Sequence, residues 1–314
     1  MENIVAGVFP GQGAQRPGMG KDYYDALPIC RHTYEEAADA LGWDVSALCF
    51  DDDARLNLTE YTQPCILTTE IAALRGLHER YGFSPTLCGG HSLGEFSALV
   101  AAGFFTLAEA VKIVHIRGQL MQKAVPLGVG GMAAVISQNI DMELLRNNLV
   151  ELPLDLANIN SAHQVVISGA LSALPEAEKR LRAAFAHDPG FRFVTLNVSA
   201  PFHSRLMKTI EEPFMETLRE LGKNLSPASA TRVTSNYTGG FHSADTDEIL
   251  FGLKAQLSNG VRWVDNMQNL AAQAEKIYEI GPGRPLREFF KTINVTCLSI
   301  TNLAGAERAF RDGN

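Results

Sequence analysis

Gly90-His91-Ser92-Leu93-Gly94 is a G-x-S-x-G run, the pattern that sets a serine on a sharp turn between a strand and a helix. Its flanks agree: Thr86-Leu87-Cys88 reads as a short buried strand, while Phe96, Leu99, Val100 and Gly103 follow at helical spacing. Ser92 is a candidate nucleophile. The two glycines fit a turn so tight that side chains there would collide with the neighbouring strand and helix. The amide of Leu93 would open the helix, aimed where negative charge appears when a serine attacks a carbonyl. A serine hydroxyl also needs a base. Among eight histidines, His203 is the candidate, because it follows Ser199-Ala200-Pro201-Phe202 at the end of an expected strand, in a rigid loop. His32, His78, His115, His187 and His242 fall in helical or polar stretches that suit surface or packing roles. His163 lacks such a loop setting, and His91 is too close in sequence to face the serine. No Asp or Glu in an obvious loop completes a triad. The expectation is a dyad whose imidazole is oriented by a carbonyl.

Two further residues could serve this chemistry. Gln12 lies in Pro10-Gly11-Gln12-Gly13, a turn-rich segment after the apolar strand Ile4 to Phe9, where a sheet edge can present amides to a site. Arg117 lies on a helix among Ile113, Val114, Leu120 and Met121. An arginine there commonly snorkels to solvent, and the alternative is a planar fork that clamps a carboxylate.

The elements that must hold these residues alternate. Helical patterns cover about Tyr23 to Leu41 and Cys65 to Tyr81, the second leading into the strand before Ser92, which argues for a parallel α/β sheet. From Gly131 to Val198 the order is strand (Met132 to Ser137), helix (Met142 to Leu149), strand (Leu154 to Asn158), strand (Gln164 to Ser168), helix (Leu174 to Ala186) and strand (Phe193 to Val198). That β-α-β-β-α-β order predicts a ferredoxin-like subdomain inserted into the larger unit. The expected division is 1–128 with 199–314 for the larger unit and 129–198 for the insertion. Helical Arg205 to Leu221 and strand-like Arg232 to Ser235 and Ile277 to Ile280 continue the larger unit, the last ending in Gly281-Pro282-Gly283.

Composition narrows the partners. With 314 residues and 46% hydrophobic content the chain can bury a large core. No apolar run is long enough to span a membrane and no secretory pattern opens the chain, so no membrane partner and a cytoplasmic location are expected. The five cysteines are scattered with no C-x-x-C pair, which argues against a disulfide framework and a zinc site. A net charge of −8 disfavours nucleic acid.

Taken together, Phe9-Pro10-Gly11-Gln12-Gly13-Ala14-Gln15, Tyr61-Thr62-Gln63-Pro64, Gly90 to Glu95, Arg117-Gly118, Asn158-Ile159-Asn160-Ser161, Ala200-Pro201-Phe202-His203 and Gly281-Pro282-Gly283 resemble the malonyl-CoA:acyl carrier protein transacylase family. The resemblance spans nearly the whole chain. It implies a large α/β-hydrolase-like domain with the inserted ferredoxin-like subdomain, and ping-pong transfer of a malonyl group from malonyl-CoA to the phosphopantetheine thiol of an acyl carrier protein. By similarity Ser92 is the nucleophile, His203 the base, and the amides of Gln12 and Leu93 the oxyanion hole. Arg117 pairs with the malonyl carboxylate, while Gln63, Met121 and Asn160 line the acyl pocket. The family's histidine-holding carbonyl maps onto Gln256. Phe202 matches the malonyl-type pattern, its bulk crowding an α-methyl branch. No permanently bound cofactor or metal is implied, and a monomer is expected. Two alternatives compete: a hydrolase on the same scaffold that clears carrier-bound acyl groups, and a non-catalytic docking module for carrier protein. Arg205, Lys208, Arg284, Arg287 and Lys291 are candidates for a basic surface that meets an acidic carrier.

Overall fold

Val5–Phe9 (β1) is buried on both faces, with Ala6, Val8 and Phe9 excluded from solvent, as suits an interior strand of a parallel sheet. Seven more strands follow among the described residues, 4–198 and 200–311 of a computed structural model: β2 Leu87–Gly90, β3 Gly130–Ile136, β4 Leu154–Ser161, β5 Gln164–Ala170, β6 Arg192–Thr195, β7 Lys276–Ile280 and β8 Cys297–Ile300. They form two sheets, one parallel in the order β2-β1-β7-β8 and one antiparallel in the order β4-β5-β3-β6. The second order is that of a ferredoxin-like β-α-β-β-α-β unit, so the expected α/β class with an inserted antiparallel unit is what forms. Ser199, the chain ends and the outer limits of the expected division lie outside the described residues.

Alternation along β3 explains how the second sheet docks. Ala133 and Val135 pack with Leu145, Leu149, Leu181 and Phe185 from the unit's own helices, Met142–Leu149 and Leu174–Ala184. Met132 and Ala134, on the opposite face, join the large core that also holds Met121 and Phe202. One face builds the small unit and the other closes it over the large one.

The helix expected from Cys65 starts at Thr59 instead and runs to Tyr81 through Pro64. Pro64 has no N–H to give to the carbonyl of Glu60. The ring of His115 donates to that carbonyl, Nδ1 to O 2.8 Å, so the helix loses no acceptor partner there. The pattern near Tyr23 splits into Lys21–Ala26 and Pro28–Leu41, because Pro28 begins a new helix. Arg232 to Ser235 does not form a full strand: Val233 bridges Cys88 and Thr234 bridges Phe241, each singly. The expected helix from Arg205 is a 3₁₀ turn, Arg205–Ile210, that passes into the α-helix Glu211–Leu221.

Candidate active site

β2 ends at Gly90, and the helix Gly94–Ala102 begins four residues later. A Cβ on Gly90 would fall onto the carbonyl of Gly94, and one on Gly94 onto the carbonyl of Phe9. Both glycines are steric necessities of the elbow. Ser92 sits at its apex with φ 54°, in the left-handed region that costs a residue with a side chain about 1–2 kcal/mol. His203 is held the same way at φ 58°. Its Nε2 lies 2.8 Å from Ser92 Oγ.

Donor and acceptor logic sets the tautomer of His203. Nδ1 lies 2.7 Å from the backbone carbonyl of Gln256, which can only accept, so Nδ1 carries the proton and Nε2 offers its lone pair to the serine. Burial, reinforced by the nearby charge of Arg117, pushes the imidazole down to about 3. A neutral imidazole faces the hydroxyl over the whole physiological range.

The amide of Ser92 donates to Asn236 Oδ1 at 2.6 Å, so it is already engaged. The amides of Leu93 and Gln12 have no hydrogen-bond partner among the described residues. The loops that carry them open at the same sheet edge, because β1 and β2 are neighbours with Phe9 opposite Gly90.

Arg117 is buried on the helix Leu107–Lys123, so the solvent-directed alternative does not occur. Nη1 donates to Gln63 Oε1 at 2.9 Å, while Nη2 donates to Gln256 Oε1 at 2.7 Å and to Ser92 Oγ at 3.1 Å. Its Nε–H has no partner among the described residues. Burial lowers the guanidinium to about 10, against the opposing influence of Glu95, so it stays cationic at neutral pH. Gly118 explains how it gets there. A Cβ at 118 would stand 2.6 Å from Glu60 Cα, so only glycine lets this helix lie against Thr59–Tyr81 and brings Arg117 beside Gln63.

These side chains share a cavity of about 540 Å³ between the two sheets, lined among others by Gln12, Gln63, Ser92, Arg117, Met121, Met132, Phe202 and His203. Leu93 is fully buried, with its side chain in the core rather than in the cavity lining. Gln256 holds the site from behind. Asn160 is the exception, because it does not line the cavity: its Oδ1 pairs with His91 Nε2 at 2.8 Å, and Asn158, two residues earlier on β4, takes the lining position. Among the described residues no cluster of His, Cys, Asp or Glu is placed to hold a metal ion, and no helix is long and apolar enough to cross a membrane.

The acyl transferase domain model matches residues 7–282. The malonyl CoA-acyl carrier protein transacylase of Bacillus subtilis strain 168 is 38% identical over 301 residues, covering 92% of this chain and 90% of its own. This chain belongs to the malonyl-CoA:acyl carrier protein transacylase family. Among solved structures, the family's member from Clostridium perfringens superposes with a TM-score of 0.89 at 33% identity, covering 98% of this chain and 96% of that one. A malonyl-transacylase solved with a type II PKS acyl-carrier protein gives 0.88 at 32% identity, covering 99% and 100%.

Sequence reasoning missed Asn236, His242 and Glu95. Glu95 had a signal, an acid in the first turn of an otherwise apolar helix beside the motif. The other two lie 141 or more positions from their partners at the elbow, with no local pattern to mark them. The expected basic surface is largely neutralised: Arg205 pairs with Asp155, Lys208 with Glu211, and Arg287 and Lys291 with Glu288. Of the five, Arg284 has no carboxylate partner among the described residues.

Proposed function

We propose that this family member moves a malonyl group from malonyl-CoA to the phosphopantetheine thiol of an acyl carrier protein, through a malonyl ester on Ser92. The observation that carries this reading is a buried guanidinium 3.1 Å from a serine oxygen that also faces a neutral imidazole. In the first half-reaction Ser92 Oγ bonds to the thioester carbon as its proton passes to His203 Nε2. The amides of Leu93 and Gln12 take the developing oxyanion. The C–S bond then breaks, and the departing coenzyme A sulfur receives the proton from His203. In the second, the carrier thiol gives its proton to His203 and attacks the ester, and Ser92 recovers its hydroxyl.

Arg117 receives the malonyl carboxylate in a charge-assisted contact. Gln63 and Met121 shape the pocket, with Asn160 acting through His91. Phe202 disfavours an α-methyl branch by about 1–3 kcal/mol, a preference for malonyl over methylmalonyl. We assign 1–128 and 199–314 to the catalytic unit and 129–198 to the inserted one, with no resident cofactor and a cytoplasmic, monomeric enzyme.

Incubation with malonyl-CoA is expected to give a mono-malonylated protein by intact mass spectrometry, absent in Ser92→Ala and discharged by added carrier protein. Wild type without adduct refutes the reading, and rapid loss to water without carrier favours the hydrolase. Arg117→Ala should lower malonyl loading by roughly tenfold to a hundredfold, the loss of a charged hydrogen-bonded pair, and let acetyl compete better.

A further inference from the structure

We propose that Glu95 is a positioning residue that governs acyl selection from behind the pocket, by fixing the side-chain amide of Gln256 so that its oxygen faces Arg117. The proposal rests on the reading of Arg117 as the carboxylate clamp. Glu95 is fully buried in the first turn of Gly94–Ala102 and does not line the cavity. Its Oε1 accepts from His242 Nε2 at 2.8 Å. Its Oε2 accepts from the amide of Asn236 at 3.1 Å and from Gln256 Nε2 at 2.5 Å.

Gln256 is thereby placed between a group that can only accept and one that can only donate. Its NH2 donates to Glu95 and, at 3.2 Å, to the carbonyl of Ser92, while its Oε1 accepts from Arg117 Nη2 at 2.7 Å. Flipping the amide would set oxygen against two oxygens and N–H against N–H. One orientation survives, and it gives Arg117 its second tether beside Gln63.

The arrangement also solves a charge problem. A carboxylate touching Arg117 would fill the fork that the acyl group needs. Glu95 stands one residue back, and no carboxylate among the described residues pairs with Arg117 directly. The amide takes one N–H of Nη2 and passes on negative polarity without setting a second carboxylate on the clamp.

The test compares kcat/KM for acyl-enzyme formation from malonyl-CoA and acetyl-CoA in wild type, E95Q and R117A, with thermal unfolding as the check on folding. In E95Q the neighbour of Gln256 can both donate and accept, so the lock is lost. The malonyl-to-acetyl ratio is expected to fall roughly tenfold, mainly through a higher KM for malonyl-CoA, as for a lost hydrogen bond to a charged group. Equal losses for both substrates, or an unchanged ratio, would overturn the proposal by reducing Glu95 to a packing role. If E95Q does not fold, Gln256→Met keeps the backbone carbonyl that holds His203 and should produce the same fall. An unchanged ratio there overturns it too. The clamp reading is judged separately: a wild type without malonyl preference, or R117A that keeps it, removes the clamp and the role of Glu95 with it.

Discussion

At the scale of single residues, the decisive property is that His203 is neutral while it meets the proposed nucleophile and lies near a fixed cation. Burial and Arg117 both act against protonation and place its titration at about 3. A base works only when unprotonated, so lowering its pKa moves the acid limb of activity down and away from the ordinary histidine value. The kcat/KM for acyl-enzyme formation, which reports the free enzyme, should stay level as pH falls through 6.5 and decline only well below it. In Arg117→Ala the limb should move back up toward 6.5, because one of the causes that lower it is gone. A wild-type limb at 6.5 would mean that the imidazole is solvated and ordinary.

At the scale of elements, the pair of helices Thr59–Tyr81 and Leu107–Lys123 sets the proposed clamp through one missing side chain. Gly118→Val should push the helices apart at Glu60, costing about 1–3 kcal/mol of stability as overpacking does, and should lower malonyl loading more than acetyl loading. Thermal unfolding and the two loading rates check this. Equal loading losses would mean that Arg117 does not depend on the helix contact. Much at this scale was legible beforehand. The elbow glycines, the strand before Ser92 and the six-element order of the inserted unit follow from turn chemistry and from periods of 2 and 3.6. The start of Thr59–Tyr81 was not legible, because Pro64 reads as a stop until His115, 51 positions on, supplies the missing donor. The Asn236 and His242 contacts were hidden for the same reason, since their partners lie far along the chain, whereas β8 has only four residues, too few for an alternating pattern to show. Asn160 shows the converse: a residue matched by motif stands two positions from the one that lines the cavity.

At the scale of the whole molecule, stability and pH are linked by a carboxyl that the reaction does not use. Glu70 is buried, and burial together with nearby Glu279 holds it well above the usual carboxylate range. The folded state thus keeps a proton that the unfolded chain releases above about 4.5, so this group erodes stability as pH rises from there. Glu70→Gln removes the titration. Its melting temperature relative to wild type should climb between pH 5 and pH 8, and a difference independent of pH would contradict the assignment. The order β2-β1-β7-β8 has a different consequence, one of timing. The first strand made lies between the second and the seventh, and the proposed nucleophile at residue 92 takes its amide acceptor from 236 and its histidine anchor from 256. While the chain is being synthesised, β1 waits with one edge unpaired and Ser92 waits for its imidazole partner. Such an edge is a hazard for a nascent chain, where chaperones have something to hold. The proposed serine, its imidazole and the carbonyl that anchors the imidazole come together only after residue 256 has been made, so a shorter product of translation lacks the assembled site.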